Sequence, residues 1–183
     1  MIAAAAIWVP VALSVAAAME LWAGLLHGRF WHGVLYPVHR SHHRKRRGPF
    51  EANDALSALH APIAMAMILY GCVAAPGTLR EVVFGVGIGM TLFGVAYLVF
   101  HDGFVHGRLP VRWLGKVALF ARIRDAHRVH HGRGAAPYGF FLGPQELAAA
   151  RARDRDRDRG DGVSAHARAR ARSPRPSGGP HRG

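Results

Sequence analysis

Ten of the 13 histidines in the chain fall into four short clusters that use only two spacings. Two clusters have the spacing H-x4-H, and the other two have the spacing H-x2-HH. In chain order the clusters are His27 and His32, then His39, His42 and His43, then His101 and His106, and finally His127, His130 and His131. The same pair of spacings therefore occurs twice in the same order.

The H-x2-HH spacing indicates metal ligands, because residues three and four positions apart fall on one face of a helix. Neutral imidazole binds iron, zinc, copper and nickel, and ten imidazoles suit two ions with about five nitrogen ligands each. We therefore expect two half-sites, each made of one H-x4-H and the H-x2-HH that follows it. The alternative is a set of surface histidines on basic loops, but it does not explain the repeated order.

The H-x4-H spacing fits an α-helix less well, because five residues turn the second side chain about 140° away from the first. Three explanations are open at this stage. The helix ends between the two histidines, or a π-type turn aligns positions i and i+5, or the two histidines bind different metals. Gly28 and Gly103 would ease a local distortion of the helix.

Three apolar runs, at residues 2–26, 55–75 and 82–100, are long enough to cross a bilayer. We expect the first run to be a membrane span rather than a signal peptide, because no Lys or Arg precedes it. In the third run Gly85 and Gly89 have the spacing that lets membrane helices approach closely, although they are equally explained as small residues in an apolar helix.

The remaining segments complete an all-α membrane protein in which residues 1–150 form the membrane-embedded domain. Residues 111–131 are mixed apolar and basic, which predicts an amphipathic helix at the membrane surface or a partly re-entrant one. Residues 137–147 are expected to be an ordered loop whose aromatic residues pack back. Residues 151–183 are low in complexity and predict a disordered Arg/Asp-rich tail.

The order of the spans predicts that all four histidine clusters lie on one side of the membrane. Residues 55–75 and 82–100 form a hairpin, so the segments before and after it return to the same face. Six basic residues flank the first two clusters, and the positive-inside rule then places the clusters and the tail in the cytoplasm of a bacterial inner membrane, with the N-terminus outside. These residues are Arg29, Arg40, Arg44, Lys45, Arg46 and Arg47.

Composition excludes several other functional classes. The chain is 50% hydrophobic with a formal net charge of +13, which is typical of a basic-faced membrane protein rather than a soluble nucleic-acid binder. Cys72 is the only cysteine, so the chain has neither an internal disulfide nor a cysteine-based metal site. The glycines at 85, 87 and 89 do not complete a dinucleotide-binding loop, so electrons for redox chemistry would come from a partner.

The histidine clusters and the residues around them resemble the membrane fatty-acid-hydroxylase superfamily, and most closely its bacterial β-carotene 3-hydroxylases. The resemblance covers roughly residues 7–147. It is carried by ELWAGLLHGRFWHG (20–33), HRSHH (39–43), GPFEANDAL (48–56), HDGFVHGRLP (101–110), AHRVHH (126–131) and YGFFLGP (138–144). His60, the basic RKRRG that follows the second cluster and the extended tail depart from the family pattern.

This resemblance implies a non-haem di-iron monooxygenase that binds two irons through all ten clustered histidines, with no flavin or haem in this chain. Such an enzyme uses O2 and electrons from NAD(P)H, delivered by a reductase and ferredoxin, and hydroxylates carbon 3 of β-carotene to give β-cryptoxanthin and zeaxanthin. Zinc can replace iron in purified samples, because nitrogen-rich sites bind it strongly. The basic segments 40–47 and 108–133 would suit an acidic ferredoxin or lipid headgroups.

Four further residues are candidates for supporting the ligands, because metal-bound imidazoles usually donate their outer N–H to a carboxylate or amide. They are Glu20, Asn53, Asp54 and Asp102. Helix capping or ion pairing with arginine is the alternative for the aspartates, and His60 is expected to be a core histidine.

Two other functions remain open from the sequence. One is hydroxylation or desaturation of another membrane lipid, a fatty acid or a sterol. The other is a non-enzymatic membrane protein that binds zinc or haem.

Overall fold

The computed structural model describes residues 2–44 and 48–172, and these residues contain helices and loops but no β-strand. The all-α fold class is therefore confirmed. The α-helices are α1 (Ile2–Leu26), α2 (Tyr36–His39), α3 (Asn53–Ala58), α4 (His60–Val73), α5 (Thr78–Tyr97), α6 (Ala118–Arg133) and α7 (Gly143–Arg172).

Three helical stretches are long and apolar enough to cross a membrane, namely Ala5–Trp31, Asn53–Val73 and Thr78–Val105. The second stretch combines α3 and α4, which are separated by a turn at Leu59. Pro62 accounts for the break, because its ring carries no N–H and crowds the carbonyl four residues earlier. The three predicted spans therefore have helical counterparts.

Helix α5, which begins the third stretch, lies between α1 and α4 and packs along both. A Cβ added at Gly85 would lie 2.7 Å from the carbonyl oxygen of Trp8, and one at Gly89 would lie 2.5 Å from that of Ala12. Real Cβ atoms do not approach backbone this closely. The two glycines therefore allow the close approach of α1 and α5 that their spacing predicted.

Both long helices change to π-helix where they reach the histidines. α1 continues as a π-turn over His27–Trp31, and α5 continues as a π-helix over Leu98–Val105. The backbone N–H of His32 donates to the carbonyl of His27 at 2.9 Å, and His106 donates to His101 at 3.0 Å. Each bond joins positions i and i+5, so the π-turn explanation of the H-x4-H spacing is confirmed.

Gly28 and Gly103, beside these histidines, were expected to ease the distortion of the helix, but the structure gives another reason for glycine at both positions. A Cβ at Gly28 would lie 2.9 Å from the ring of Tyr138, and a Cβ at Gly103 would lie 2.8 Å from the side chain of Leu109. Their missing side chains make room for neighbouring segments that pack against the π-turns. We infer that close packing, more than backbone freedom, requires glycine here.

The segment predicted as one amphipathic helix over 111–131 is divided. A 3-10 turn covers Arg112–Lys116, Val117 is extended, and α6 begins only at Ala118. The loop before α7 does carry aromatic residues that pack back, since the buried Phe140 ring contacts the rings of Tyr97 and His101. That loop ends at Gly143, earlier than predicted, because α7 starts there.

Residues 151–172 of the predicted disordered tail continue α7 in the structure. Alanine and arginine favour helix, and the Arg/Asp alternation places opposite charges three residues apart. One compact unit ends at Leu147 and a second begins at Ala148. Residues 173–183 of the predicted tail, and residues 45–47 of the predicted basic segment, lie outside the described residues.

Candidate metal centre

Histidine side chains form the interior of the first compact unit at the ends of its long helices. Among the described residues, the largest side chains that are fully buried are His39, His101 and His130. Burying three imidazoles is costly unless their nitrogens are bonded. Their surroundings therefore decide what this interior can bind.

Nine of the ten predicted histidines converge into two groups, in each of which one ring nitrogen per residue lies within 4.8 Å of the others. The five-histidine group consists of His27, His32, His39, His43 and His130. The four-histidine group consists of His42, His106, His127 and His131. Each group has the donor set of a metal site.

This division differs from the two predicted half-sites, because each H-x2-HH cluster is split between the groups. On α6, His127 and His131 are four residues apart and share a face, whereas His130 points about 100° away from His131. His130 therefore joins the five-histidine group, and His42 joins the four-histidine group in exchange. The two groups are interleaved rather than built from separate parts of the chain.

The tautomers of three members of the five-histidine group, His27, His39 and His130, leave their Nε2 atoms without protons. His27 Nδ1 donates to the carbonyl oxygen of Tyr138 at 2.8 Å, and His39 Nδ1 donates to Asn53 Oδ1 at 2.7 Å. The Nε2 atoms of these two histidines nevertheless lie 3.1 Å apart. Two lone pairs facing each other at this distance repel unless a cation lies between them.

His130 repeats this arrangement. Its Nδ1 donates to the carbonyl oxygen of Ala135 at 2.8 Å, and its Nε2 lies 3.2 Å from His32 Nε2. Nitrogens bound about 2.1 Å from one ion and at right angles to each other are about 3.0 Å apart. The observed spacings therefore fit a shared metal ion.

The nitrogen–nitrogen distances in the four-histidine group also fit a shared metal ion. His127 Nε2 lies 2.9 Å from His131 Nε2 and 3.1 Å from His106 Nε2. His42 Nε2 is buried and has no hydrogen-bond partner among the described residues. A buried imidazole nitrogen in this state is suited to bind a metal, which satisfies its lone pair.

Burial keeps these imidazoles neutral. Burial, and after it the neighbouring imidazoles, lower the pKa of His39 and His130 to about 4 and the pKa of His131 to about 3. Burial likewise lowers the pKa of His106 to about 2. Because metals bind the neutral form, these histidines are ready to act as ligands at pH 7 without first losing a proton.

His101, the tenth predicted ligand, lies beside the four-histidine group but outside it. Its ring centroid is 4.6 Å from those of His106 and His127, and it stacks on Tyr97 at 4.3 Å. Its Nδ1 donates to Asp102 Oδ1 at 2.9 Å, which leaves Nε2 without a proton in the neutral ring.

Two of the four predicted supporting residues accept a hydrogen bond from an imidazole, and the other two do not. Asn53 and Asp102 accept hydrogen bonds from His39 and His101, as described above. Asp54 instead accepts from the backbone N–H of Glu51 and from Arg108, each at 2.9 Å, which is the alternative of capping and ion pairing.

Glu20 acts on the loop before α7. It accepts the backbone N–H of Leu142 at 2.9 Å, while Glu146 accepts those of Tyr138 and Gly139. The Tyr138 carbonyl in this same loop holds His27. Glu20 therefore reaches the histidines only through the backbone of the loop.

Sequence reasoning missed several groups that hold the imidazoles. Glu51 Oε2 lies 3.4 Å from His42 Nδ1. Glu51 stands two residues before Asn53 in the FEAND motif, and this position was an available signal. The carbonyls of Ala135 and Tyr138 carry no such signal, because a backbone group is the same in every residue.

An apolar cavity of about 540 Å3 extends from the five-histidine group between α1, α4 and α5. Its lining includes His27 at one end and Trp22 and His60 further along. Trp22 Nε1–H donates to His60 Nε2 at 3.0 Å. His60 is therefore a cavity-lining residue with a bonded nitrogen rather than a packed core histidine.

Comparison with known proteins places this site in a family. Residues 12–145 match the fatty acid hydroxylase family. The chain belongs to the fatty acid hydroxylase family. The fatty acid hydroxylase segment contains all ten clustered histidines and ends one residue before Glu146.

Individual relatives of the chain are β-carotene hydroxylases. The chain is 46% identical over 140 residues to the chloroplastic β-carotene 3-hydroxylase of Gentiana lutea, covering 74% of this chain and 43% of that protein. It is 39% identical over 145 residues to the β-carotene hydroxylase of Pseudescherichia vulneris, covering 76% of this chain and 79% of that protein. The chain thus spans less than half of the plant relative. No solved structure matches it.

Proposed function

We propose that the chain is a carotenoid 3-hydroxylase that uses O2 and a di-iron centre to convert β-carotene to β-cryptoxanthin and then zeaxanthin. The observation that carries this proposal is that a candidate metal site adjoins an apolar cavity. Two groups of imidazoles could each hold a metal ion, and His27 of the five-histidine group also lines the apolar cavity. The names of the relatives indicate the carotenoid among the membrane lipids that such a cavity could accept.

The five-histidine group and the four-histidine group would each hold one iron, with His101 as a tenth ligand to the ion in the four-histidine group. Iron bound there would supply the oxidising power that an unactivated ring carbon requires. Asn53, Asp102 and the Tyr138 carbonyl keep the outer nitrogens protonated and the imidazoles aimed inward.

The cavity residues position the substrate and keep water away from the reacting carbon. Leu26, Trp31 and Phe140 line the cavity near His27 with apolar surface. A β-ionone ring packed against them carries its carbon 3 toward the histidines. An apolar wall also excludes the water that would compete for the oxidant.

Electrons would come from a ferredoxin-type donor on the cytoplasmic face of a bacterial inner membrane. Exposed cations near the histidine groups support this part of the proposal, because an acidic protein is attracted to them over several ångströms. They include Arg40, Arg44, Arg112, Lys116 and Arg128. The same cations would also contact lipid headgroups.

Expression in a bacterium that accumulates β-carotene, followed by pigment analysis, tests the function. The wild-type chain should produce zeaxanthin, and His130→Ala should produce none while remaining in the membrane fraction. A hydroxylated fatty acid without zeaxanthin would show that the substrate is another lipid. Wild-type zeaxanthin production by His130→Ala would contradict the metal-centre assignment.

A further inference from the structure

A groove between α1 and α4 continues the apolar cavity toward the lipid-facing surface. Both helices pack along α5, but within the described residues they do not pack along each other. Thr91 and Gly94 of α5 and Leu98, at the start of the π-helix that continues it, line the cavity and are exposed. The spacing of these three residues places them on one face of α5, which forms the floor of the groove.

One hydrogen bond crosses this groove. Trp22 on α1 donates to His60 at the start of α4, and both side chains line the cavity. Because Nε2 of His60 accepts this bond, its proton in the neutral ring lies on Nδ1. The Trp22–His60 pair is therefore a polar strap between two helices that are otherwise separated.

The size of the cavity shows that a carotenoid cannot fit inside it completely. The cavity lining runs from Met90 to Asp102 along α5 and its π-helical continuation, about 18 Å at 1.5 Å per residue. A carotenoid is about as long as the hydrocarbon core of a bilayer is thick, roughly 30 Å. Part of the polyene must therefore lie outside the cavity while one ring reacts.

We propose that the groove between α1 and α4 holds the polyene of the substrate, and that the Trp22–His60 strap opens to admit it. This inference rests on the proposed function. Gly94 precedes His101 by seven residues, or about 10 Å along α5, so a six-membered ring fits between the histidines and Gly94. The polyene then leaves over Gly94, where the surface is apolar and continuous with lipid.

Gly94 offers a clean probe, because an added Cβ there meets no atom within 4 Å. Gly94→Leu should fold normally, bind the wild-type amount of iron, and fill the groove. We expect it to lower both the β-carotene retained after purification and its hydroxylation at least about tenfold, because the side chain overlaps the polyene. Hydroxylation of β-ionone, which has the ring but little polyene, should change less than about twofold.

The matched control is Ala17→Leu, an exposed position on the opposite face of α1 from Trp22. It should retain and hydroxylate β-carotene like the wild type.

Removing the strap with His60→Ala should lower KM for β-carotene about threefold, because one hydrogen bond no longer opposes opening.

Two outcomes would overturn the proposal that the groove holds the polyene. One is wild-type carotenoid retention in Gly94→Leu, and the other is equal loss of β-carotene and β-ionone conversion in that variant. A wild-type protein that retains carotenoid without hydroxylating it would contradict the proposed function instead. In that case the retention measured in Gly94→Leu and Ala17→Leu still decides the groove.

Discussion

The tautomer of each histidine in this centre depends on the group bonded to its outer nitrogen. His27, His39 and His130 each donate Nδ1–H to an oxygen, and this leaves each Nε2 with a lone pair directed inward. The oxygen bonded to the outer nitrogen thus decides which ring nitrogen is available to a metal ion. A substitution at an outer oxygen should therefore weaken metal binding without touching a histidine.

Asn53→Ala tests this dependence, because it removes the oxygen that orients His39. Loss of such a partner costs about 10- to 100-fold in metal affinity or activity. We expect iron content after dialysis and zeaxanthin production to fall within that range. Asp54→Asn is the matched control, since Asp54 bonds to Glu51 and Arg108 rather than to an imidazole, and its loss should be clearly smaller. Equal losses would contradict the assigned role of Asn53.

Acid should destabilise the metal-free protein in a defined range. An unfolded histidine accepts a proton near its ordinary pKa of 6.5, whereas in the folded chain the pKa of His39 and His130 is about 4 and that of His131 about 3. Below pH 6.5 the unfolded state therefore binds more protons, and the free energy of unfolding falls as the pH falls.

Thermal unfolding of the metal-free protein in detergent can measure this effect. The midpoint should be constant above pH 7 and decrease steadily between pH 6.5 and pH 4. The variant His130→Ala should show a shallower decrease, because it has one fewer buried imidazole. A midpoint independent of pH over this range would contradict the neutral histidine interior.

At the scale of elements, the π-turn at the end of α1 and the loop before α7 together position part of the five-histidine group. The π-turn at His27–Trp31 carries His27 and ends at His32, and the ring of Tyr138 packs directly on Gly28 of that turn. Glu20 and Glu146 hold the loop by three of its backbone N–H groups. The loop therefore supports the five-histidine group, although none of its side chains belongs to that group.

Gly28→Ala should disturb this contact. The added Cβ would lie 2.9 Å from the Tyr138 ring, so the loop must shift and weaken the bond from its carbonyl to His27. We expect a loss of activity and iron of about tenfold. Gly132→Ala, on the exposed part of α6 with no atom within 4 Å of the new Cβ, should keep both. Iron content and product yield of the two variants provide the comparison.

At the scale of the whole molecule, the metal centre and the cavity belong to the compact unit that ends at Leu147. Glu146 is the last residue with an assigned contact to the loop. The continuation of α7 beyond this point belongs to the second unit, and its Arg/Asp composition offers no apolar face. Function should therefore reside in the first unit alone.

Deleting residues 151–183 tests this division. We expect zeaxanthin production per mole of membrane-inserted protein to be unchanged, because every residue assigned to the centre and the cavity is retained. Deletion from residue 138 serves as the opposite control, since it removes Tyr138, Phe140 and Glu146 and should abolish activity. A large loss in the shorter deletion would assign a role to the second unit.

The sequence by itself determined the features that depend on neighbouring residues. The apolar runs specified three helices long and apolar enough to span a membrane, and the H-x4-H spacing called for a π-turn, a helix end or separate metals, because side-chain direction follows helix geometry. Only the tertiary structure decided which histidine joins which group, and which backbone carbonyls hold them. Those contacts connect α6, the loop before α7 and the π-turns, and they arise from how distant segments pack, which no local spacing encodes.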